Sequence, residues 1–392
     1  MSQRPIDRSP DLKRLRDEGY NISVADGYVV VRDVPYVTAS RQVLRGVLIV
    51  SLNAANDVAQ GAPDHTMDWA GEYPCYASGA PIEEIRCCES NARAGNVQAT
   101  FKFSAKPKPH DRYRDYHAQA RAYIARLSGP AGELLPGITA QTYPHLPAAE
   151  GESVFTYQDT ASSRADISAI TKRLEGKTIG ILGLGGTGGY ILDFLAKTPV
   201  AAIHLYDGDV FSQHNAFRAP GAASGQDLEQ TPLKVSYFAG VYRRMHRGIV
   251  PHPEFFGPQH LHELDDLDFV FLSMEAGDIK QQAVARLIER GIPFVDVGMG
   301  IFLRNEALGG TLRVTTVTGS KHDHVKERIP FSDGGIKNEY DRNIQIAELN
   351  ALNAAFAVIR FKKIFGVYHD QGQEHHMVFA IGRNDINNEE EA

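Results

Sequence analysis

The sequence predicts an α/β protein: a mostly parallel sheet with helices on both faces over its second half, preceded by a smaller α+β domain. Three observations predict it. After Lys177, short apolar runs rich in β-branched and aromatic residues alternate with helix-length segments, the pattern of buried parallel strands joined by crossover helices. A glycine-rich turn, Gly183-Leu184-Gly185-Gly186-Thr187-Gly188, lies between the first such run and the first such helix. The polar stretch SGPAGELLPGITAQTYPHLPAAEGESVF, residues 128–155, divides this half from one whose apolar runs are short and turn-rich. The expected parts are an N-terminal α+β domain over residues 1–150, a linker over 151–163 and the α/β domain over 164–392.

In the first half, GYVVVRDVPYV and RGVLIVSLN read as strands. So does NVQATFKFSA, in which Val97, Ala99, Phe101 and Phe103 alternate with more polar positions. YRDYHAQARAYIARL comes next as an amphipathic helix. In the second half the order is strand KTIGILGLG, a helix opening at Gly188, strand AAIHLYD, and helix KVSYFAGVYRRM. Strand LDFVFLSME, helix IKQQAVARLIERG ending at Gly291, and strand IPFVDVGMG complete the alternation. A long Ala-rich helix, NIQIAELNALNAAFAVIRFKKIF, has two apolar faces, which suits deep packing or a subunit contact. The acidic end NDINNEEEA reads as a frayed tail.

Composition narrows the function. The chain has 392 residues, 43% hydrophobic and 23% charged, which is ordinary for a soluble globular protein. A net charge of −7 argues against general nucleic-acid binding, which needs clustered positive charge. No apolar run approaches the roughly 20 residues that span a bilayer, and the first twenty residues lack the apolar centre of a signal peptide. Three cysteines, Cys75, Cys87 and Cys88, do not make a disulfide framework. A cytoplasmic protein without a membrane partner is expected.

The glycines stand where a phosphate cradle needs them. Gly183 permits a tight turn, Gly185 lets a pyrophosphate approach the backbone, and Gly188 allows close helix packing. The free N–H groups of the helix then face an anion. Asp207 ends the second strand, where a ribose-binding carboxylate belongs in a Rossmann-like sheet. The residues after Asp207 separate ATP from NAD. DGDVFSQHNAFR sets Asp207, Asp209, Asn215 and Arg218 close together, and Lys234 comes near the start of the next helix. Two cations for the β and γ phosphates, with a carboxylate for Mg²⁺, suit a triphosphate better than a nicotinamide. Glu275 and Asp278, after the next strand, are the candidate Mg²⁺ carboxylates. Singly, Arg218 and Lys234 also read as surface charges, and Glu275 as a helix cap.

This ordered set, G-x-G-G-x-G, then D-x-D, then N-x-x-R, then Lys and an acidic residue, resembles the adenylation domain of the ThiF/MoeB and ubiquitin-activating superfamily. The match runs from about Gly180 to Gly300, and more loosely from Arg164 to Phe365. The resemblance implies that ATP and Mg²⁺ convert the C-terminal carboxylate of a ubiquitin-like protein to an acyl-adenylate, with a conjugating-enzyme-like partner downstream and a homodimer as the assembly. It implies that Gly183, Gly185, Gly186 and Gly188 cradle phosphate and that Asp207, with Asp209 beside it, serves the ribose end. Asn215, Arg218 and Lys234 would contact the phosphates and the attacking carboxylate. Arg164 would match an arginine that reaches phosphate, often in the partner subunit.

The chain departs from the family pattern in three ways. Glu275 stands where the family has an aspartate, so Asp278 stays a rival. The paired C-x-x-C zinc motifs are absent and no structural zinc is expected; His322, His324, His375 and His376 read as exposed loop histidines before metal ligands. The crossover region, Thr311 to Tyr340, holds no cysteine. The acceptor is then a partner, a hydroxyl such as Thr318, Ser320 or Ser332, or Cys75, which alone reads as a small buried hydrophobe. The N-terminal domain is expected to bind the ubiquitin-like protein or the conjugating partner. Alternatives are a small-molecule or sulfur-carrier adenylyltransferase, an NAD-dependent oxidoreductase, and a binding module without chemistry.

Overall fold

Runs of Val, Ile and aromatic residues build an antiparallel sheet first. The structure, a computed structural model, describes residues 4–62, 64–148, 151, 153–332 and 344–391. Residues 1–146 form one compact unit and 147–392 another. In the first, β1 (Asn21–Ala25), β2 (Tyr28–Val37), β3 (Val43–Ser51), β4 (Thr66–Ala70), β5 (Arg86–Glu89) and β6 (Phe101–Ser104) lie in the order β1-β2-β3-β4-β6-β5. A short helix, α1 (Pro10–Asp17), precedes the sheet, and α2 (Tyr116–Leu134) comes after it. Helix α2 starts on an Asp115 cap that accepts from the Ala118 N–H at 2.7 Å. Its Tyr116, Tyr123 and Leu127 join Val31, Leu48, Trp69 and Phe103 in one core. Trp69 is fully buried, its ring edge-on to Tyr36 and its Nε1–H donating to the Glu72 carbonyl at 2.8 Å.

NVQATFKFSA is not one strand. Val97–Gln98 pairs back on Arg93–Ala94, while β6 pairs with β4 and β5. Between them the Ala99 N–H donates to Ala92 and the Thr100 N–H to Trp69, so the ladder changes partner there. Cys75 is 2% exposed; its Sγ donates to the Tyr73 carbonyl, and burial pushes its thiol pKa up. Cys87 and Cys88 are exposed on the edge strand β5.

In the second unit, eight strands form one sheet. They are β7 (Thr178–Leu182), β8 (Ala202–Tyr206), β9 (Ile249–His252), β10 (Phe269–Leu272), β11 (Phe294–Arg304), β12 (Ala307–Val317), β13 (Glu374–Ala380) and β14 (Asp385–Glu391). The order is β9-β8-β7-β10-β11-β12-β13-β14, with the first five mutually parallel and the last three antiparallel. Ile179, Ile181, Phe269 and Phe271 face a core with α3 (Gly186–Leu195), α5 (Lys234–Tyr242) and α7 (Ala347–Ile364); the short α4 (Gln213–Ala216) precedes α5. Leu182, Val270 and Leu272 face the other core, with α6 (Asp278–Arg290). Burial on both faces is why these strands read as continuous apolar runs.

Several expectations change. Strand IPFVDVGMG continues to Arg304 and turns back as β12, so Thr311–Val317 belongs to the sheet and not to a crossover loop. The acidic end expected to fray is β14, with Glu389 and Glu390 paired to Arg328 at 2.6 and 2.8 Å. Residues expected as linker fold onto this unit, where Phe155 bridges to His246. His375 and His376 lie on β13 and, with His324, are buried; His322 alone is exposed. The expected crossover segment 333–340 lies outside the described residues. Among the described residues no helix is long and apolar enough to cross a membrane, and no group of three ligating side chains could hold a metal ion.

Burial lowers the pKa of His204, His246, His252, His324, His375 and His376 below the usual 6.5. Unfolding releases them to bind protons, so the unfolded chain holds more protons than the folded one below pH 6.5 and stability rises with pH in that window. Thermal unfolding between pH 7.5 and 5.5 should therefore show a midpoint that falls as pH drops through 6.5. A flat midpoint over that range contradicts these histidines being buried neutral.

Candidate nucleotide-binding site

The turn after β7 is crowded on one side and open on the other. Gly183 has φ +95°, a left-handed conformation, and a Cβ there would overlap the Ser273 carbonyl. A Cβ on Gly188 would overlap the Gly183 carbonyl, and one on Gly186 the Asn350 side chain. Gly185, at the cap of α3, has open space except for Gln345 Oε1 at 3.9 Å. The helix therefore packs hard onto its own turn and leaves space on the Gly185 side. Gly186 N–H donates to Gln345 Oε1 at 3.3 Å.

Asp207 ties this turn to the next strand end. Its Oδ2 accepts the Leu184 N–H at 2.7 Å and its Oδ1 the Asp209 N–H at 2.9 Å. Lys234 begins α5 and its Nζ lies 2.5 Å from Asp209 and 3.5 Å from Asp207. Lys234 is buried, and its N–H donates to the Asp209 carbonyl at 2.8 Å. The structure thus brings Asp207, Asp209 and Lys234 together. Asp207 has a part the sequence reading missed, as the lock on the glycine turn.

Asn215 and Arg218 come next, on α4 and just beyond it. Asn215 is buried and its Oδ1 accepts the Ser212 N–H at 2.8 Å, which closes a capping box. Arg218 hangs from the helix core by its carbonyl, which accepts from Asn350 Nδ2 at 3.3 Å, while Asn350 Oδ1 takes the Thr187 hydroxyl at 2.9 Å. Arg218 is therefore fixed to the first turn of α3. Its Nε is buried with no hydrogen-bond partner among the described residues.

A cleft of about 490 Å³ opens beside this turn, lined by Thr187, Ser273 and Glu275 among others. Glu275 is solvent-facing in that lining. Asp278 begins α6 and lies outside it. Of the two expected magnesium carboxylates, Glu275 is the one in the cleft lining. Arg164 ends the short helix Thr160–Arg164, exposed, and is not part of the lining. Thr318 and Ser320 share a hydrogen bond at 3.1 Å in the turn after β12, and Ser332 is exposed.

Sequence reading missed Asn350 and Gln345, which brace the turn, and Lys280 and Arg313, which line the cleft and share the buried Asp296 carboxylate behind it. A signal for the first was present: Asn350 and Asn353 repeat at helical spacing in an otherwise Ala-rich helix.

Residues 10–160 match a family described as a domain of unknown function, DUF6791. No curated protein matches the chain. Among solved structures, selenomethionine PaaA is similar at 19% identity over 57% of this chain and 75% of that one, with a TM-score of 0.44. Escherichia coli MccB with ATP is similar at 14% identity over 59% of this chain and 70% of that one, with a TM-score of 0.46. MccB with AMPCPP and MccA gives the same identity, coverage and TM-score.

The glycine packing makes a stability prediction. Gly188→Ala must displace backbone at Gly183, and overpacking of this kind costs about 1–3 kcal/mol. Gly186→Ala meets the Asn350 amide, which can move only by giving up its bonds to Thr187 and the Arg218 carbonyl, so it is destabilising too. Thermal unfolding should show a lower midpoint for both variants than for the parent protein; an unchanged midpoint for either contradicts the packing described.

Proposed function

We propose that the second unit is an ATP-dependent adenylyltransferase that activates the C-terminal carboxylate of a ubiquitin-like protein. One observation carries this reading: Arg218 is fixed to the first turn of α3 with a buried guanidinium nitrogen that no group of the described protein satisfies. A buried donor on a charged group without a partner costs free energy, and an anion placed on it recovers that cost. Asn350 links the Arg218 carbonyl to Thr187 next to the glycine turn, and Asp207 and Lys234 hold the neighbouring strand end.

In this reading the substrate carboxylate oxygen attacks the α-phosphorus of ATP in line, an O–P bond forms, and pyrophosphate leaves with the electron pair of the broken P–O bond. Arg218 and the amides of the turn stabilise charge that grows on the phosphate oxygens. Asn215 Nδ2, whose Oδ1 is already committed, orients an oxygen acceptor. Glu275 is the residue that would hold Mg²⁺, which would lower the charge facing the nucleophile. The second unit contains no cysteine. Acyl transfer in this reading therefore passes to a conjugating-enzyme-like partner or to a hydroxyl, Thr318, Ser320 or Ser332. The chain works as a homodimer, with Arg164 offered across to the neighbouring site.

Arg218→Ala should raise the Kd for ATP at least tenfold, about 1.4 kcal/mol or more, and abolish carrier-dependent pyrophosphate exchange into ATP. Unchanged ATP affinity, or tighter binding of NAD⁺ than of ATP, overturns the reading.

The N-terminal unit is proposed to bind the ubiquitin-like protein or its conjugating partner. A fragment of residues 147–392 should keep ATP binding and lose partner capture in pull-down. Equal capture by the fragment and the full chain counts against that assignment.

A further inference from the structure

Cys87 and Cys88 stand side by side where the first sheet ends. Strand β5 is last in the order β1-β2-β3-β4-β6-β5, so its outer side is an open edge. Across the ladder, Lys102 of β6 pairs with Cys88, and Phe103 with Arg86. Cys87 is left without an opposite residue, which makes a β-bulge. In a regular strand, neighbouring side chains point to opposite faces and two adjacent thiols do not meet. The bulge removes that alternation, and the Cys87 and Cys88 thiols hydrogen-bond to each other. Both residues are exposed, whereas Cys75 is buried and donates to the Tyr73 carbonyl.

The face they share carries a cation. Asp68, Lys102 and Cys88 occupy one cross-strand row over β4, β6 and β5. Asp68 is buried and its Oδ1 accepts the Ser90 hydroxyl at 2.7 Å, with Lys102 Nζ 3.7 Å from the same oxygen. The ammonium therefore stands between a buried carboxylate and the thiols at the sheet edge. Desolvation and the Cys88 thiol raise the Cys87 pKa, and Lys102 pulls it down.

Geometry decides what such a pair can take. The two Cα atoms flank one trans peptide and so lie about 3.8 Å apart. Most disulfides span roughly 4.4–6.8 Å between Cα atoms, so closing the pair on itself is strained. A third atom between the sulfurs removes that constraint. Zinc is a poor occupant, because its structural sites take four ligands and no group of three ligating side chains occurs among the described residues. A soft cation satisfied by two thiolates fits.

We propose that Cys87 and Cys88 form a two-coordinate dithiolate site for a soft monovalent cation, Cu(I), with Lys102 as its counter-charge. On binding, both S–H bonds break, the protons pass to water and two S–Cu bonds form, with no electron transferred. Two thiolates and one monovalent cation leave a single net negative charge, which the Lys102 ammonium offsets. The site belongs to the first unit and does not depend on the nucleotide reading of the second.

The test titrates the reduced full-length protein anaerobically with Cu(I) against bathocuproine disulfonate, whose colour reports the copper it retains. The expected result is one Cu(I) per chain. Cys87→Ser and Cys88→Ser should each weaken binding about tenfold or more, and in the double variant the two losses should not add. Lys102→Gln should weaken it about threefold, and Lys102→Arg should restore it. Phenylarsine oxide gives a second reading in air, since its arsenic joins two sulfurs and releases one water. Mass spectrometry should find one arsenical per parent chain, and none that survives 2-mercaptoethanol in either serine variant.

Serine variants that bind Cu(I) as tightly as the parent, or losses that add as for two independent thiols, overturn the proposal. So does ready conversion of the pair to an internal disulfide by oxidised glutathione, because a pair that closes on itself is a redox site and not an open ligand. Affinity left unchanged by Lys102→Gln overturns the assignment of the counter-charge.

Discussion

The Asp207 carboxylate holds the candidate site together. It stands at the end of β8 and accepts one N–H from the glycine turn after β7 and another from its own strap at Asp209. Two adjacent parallel strand ends are thereby fixed to each other through one side chain. Lys234 then closes on Asp209 and Asp207 from the start of α5, so three segments meet at one charge cluster in which Asp207 and Lys234 are buried and Asp209 is exposed. An ionised carboxylate accepting two backbone N–H groups is a strong and directional tie. Without it, the turn would lose one of the two ties that set its distance from the segment carrying Arg218.

A second tie works from the opposite side. Asn350, fully buried on α7, spans Thr187 on α3 and the Arg218 carbonyl, and its amide fills the place a Cβ on Gly186 would take. A buried amide is costly unless its donors and acceptors are used, and here both ends are. Helix α7 comes late in the chain, after the hairpin of β11 and β12, yet it braces the first turn of the first crossover helix. The glycine turn is therefore a product of the whole second unit. A binding module shorter than this unit would lack the brace.

Much of this was legible in sequence because its physics is local. The glycine spacing, the strand-end acid Asp207 and the position of Lys234 at a helix start all obey rules that act over a few residues. The interior strands were legible because a sheet buried on both faces leaves unbroken apolar runs, as in Phe269–Leu272. The illegible parts depend on partners far away in the chain. The sequence of β14 is acidic and polar, and it becomes a strand only because Arg328 and Lys321 lie opposite its glutamates and β13 offers an edge. His375 and His376 look like loop residues until β13 places them beneath neighbouring strands. The division of NVQATFKFSA was hidden for the same reason, since Thr100 bonds across to Trp69 and not along its own hairpin.

The trio Lys280, Asp296 and Arg313 shows how far apart in the chain the partners of one charge cluster can lie. Lys280 comes from the first turn of α6, Asp296 from β11 and Arg313 from β12, so no sequence window contains them. Asp296 sits at the last residue where β11 still pairs with β10. Beyond it the strand leaves its neighbour, and at that point the protein buries a cationic pair around one acid. A strand that needed only to finish the sheet would have no use for charge there, because removing ions from water costs more than well-packed apolar residues of similar size. Lys280 and Arg313 line the same cleft as Thr187 of the first turn of α3. At one position, therefore, pairing with β10 ends and three distant segments are tied through a single buried carboxylate.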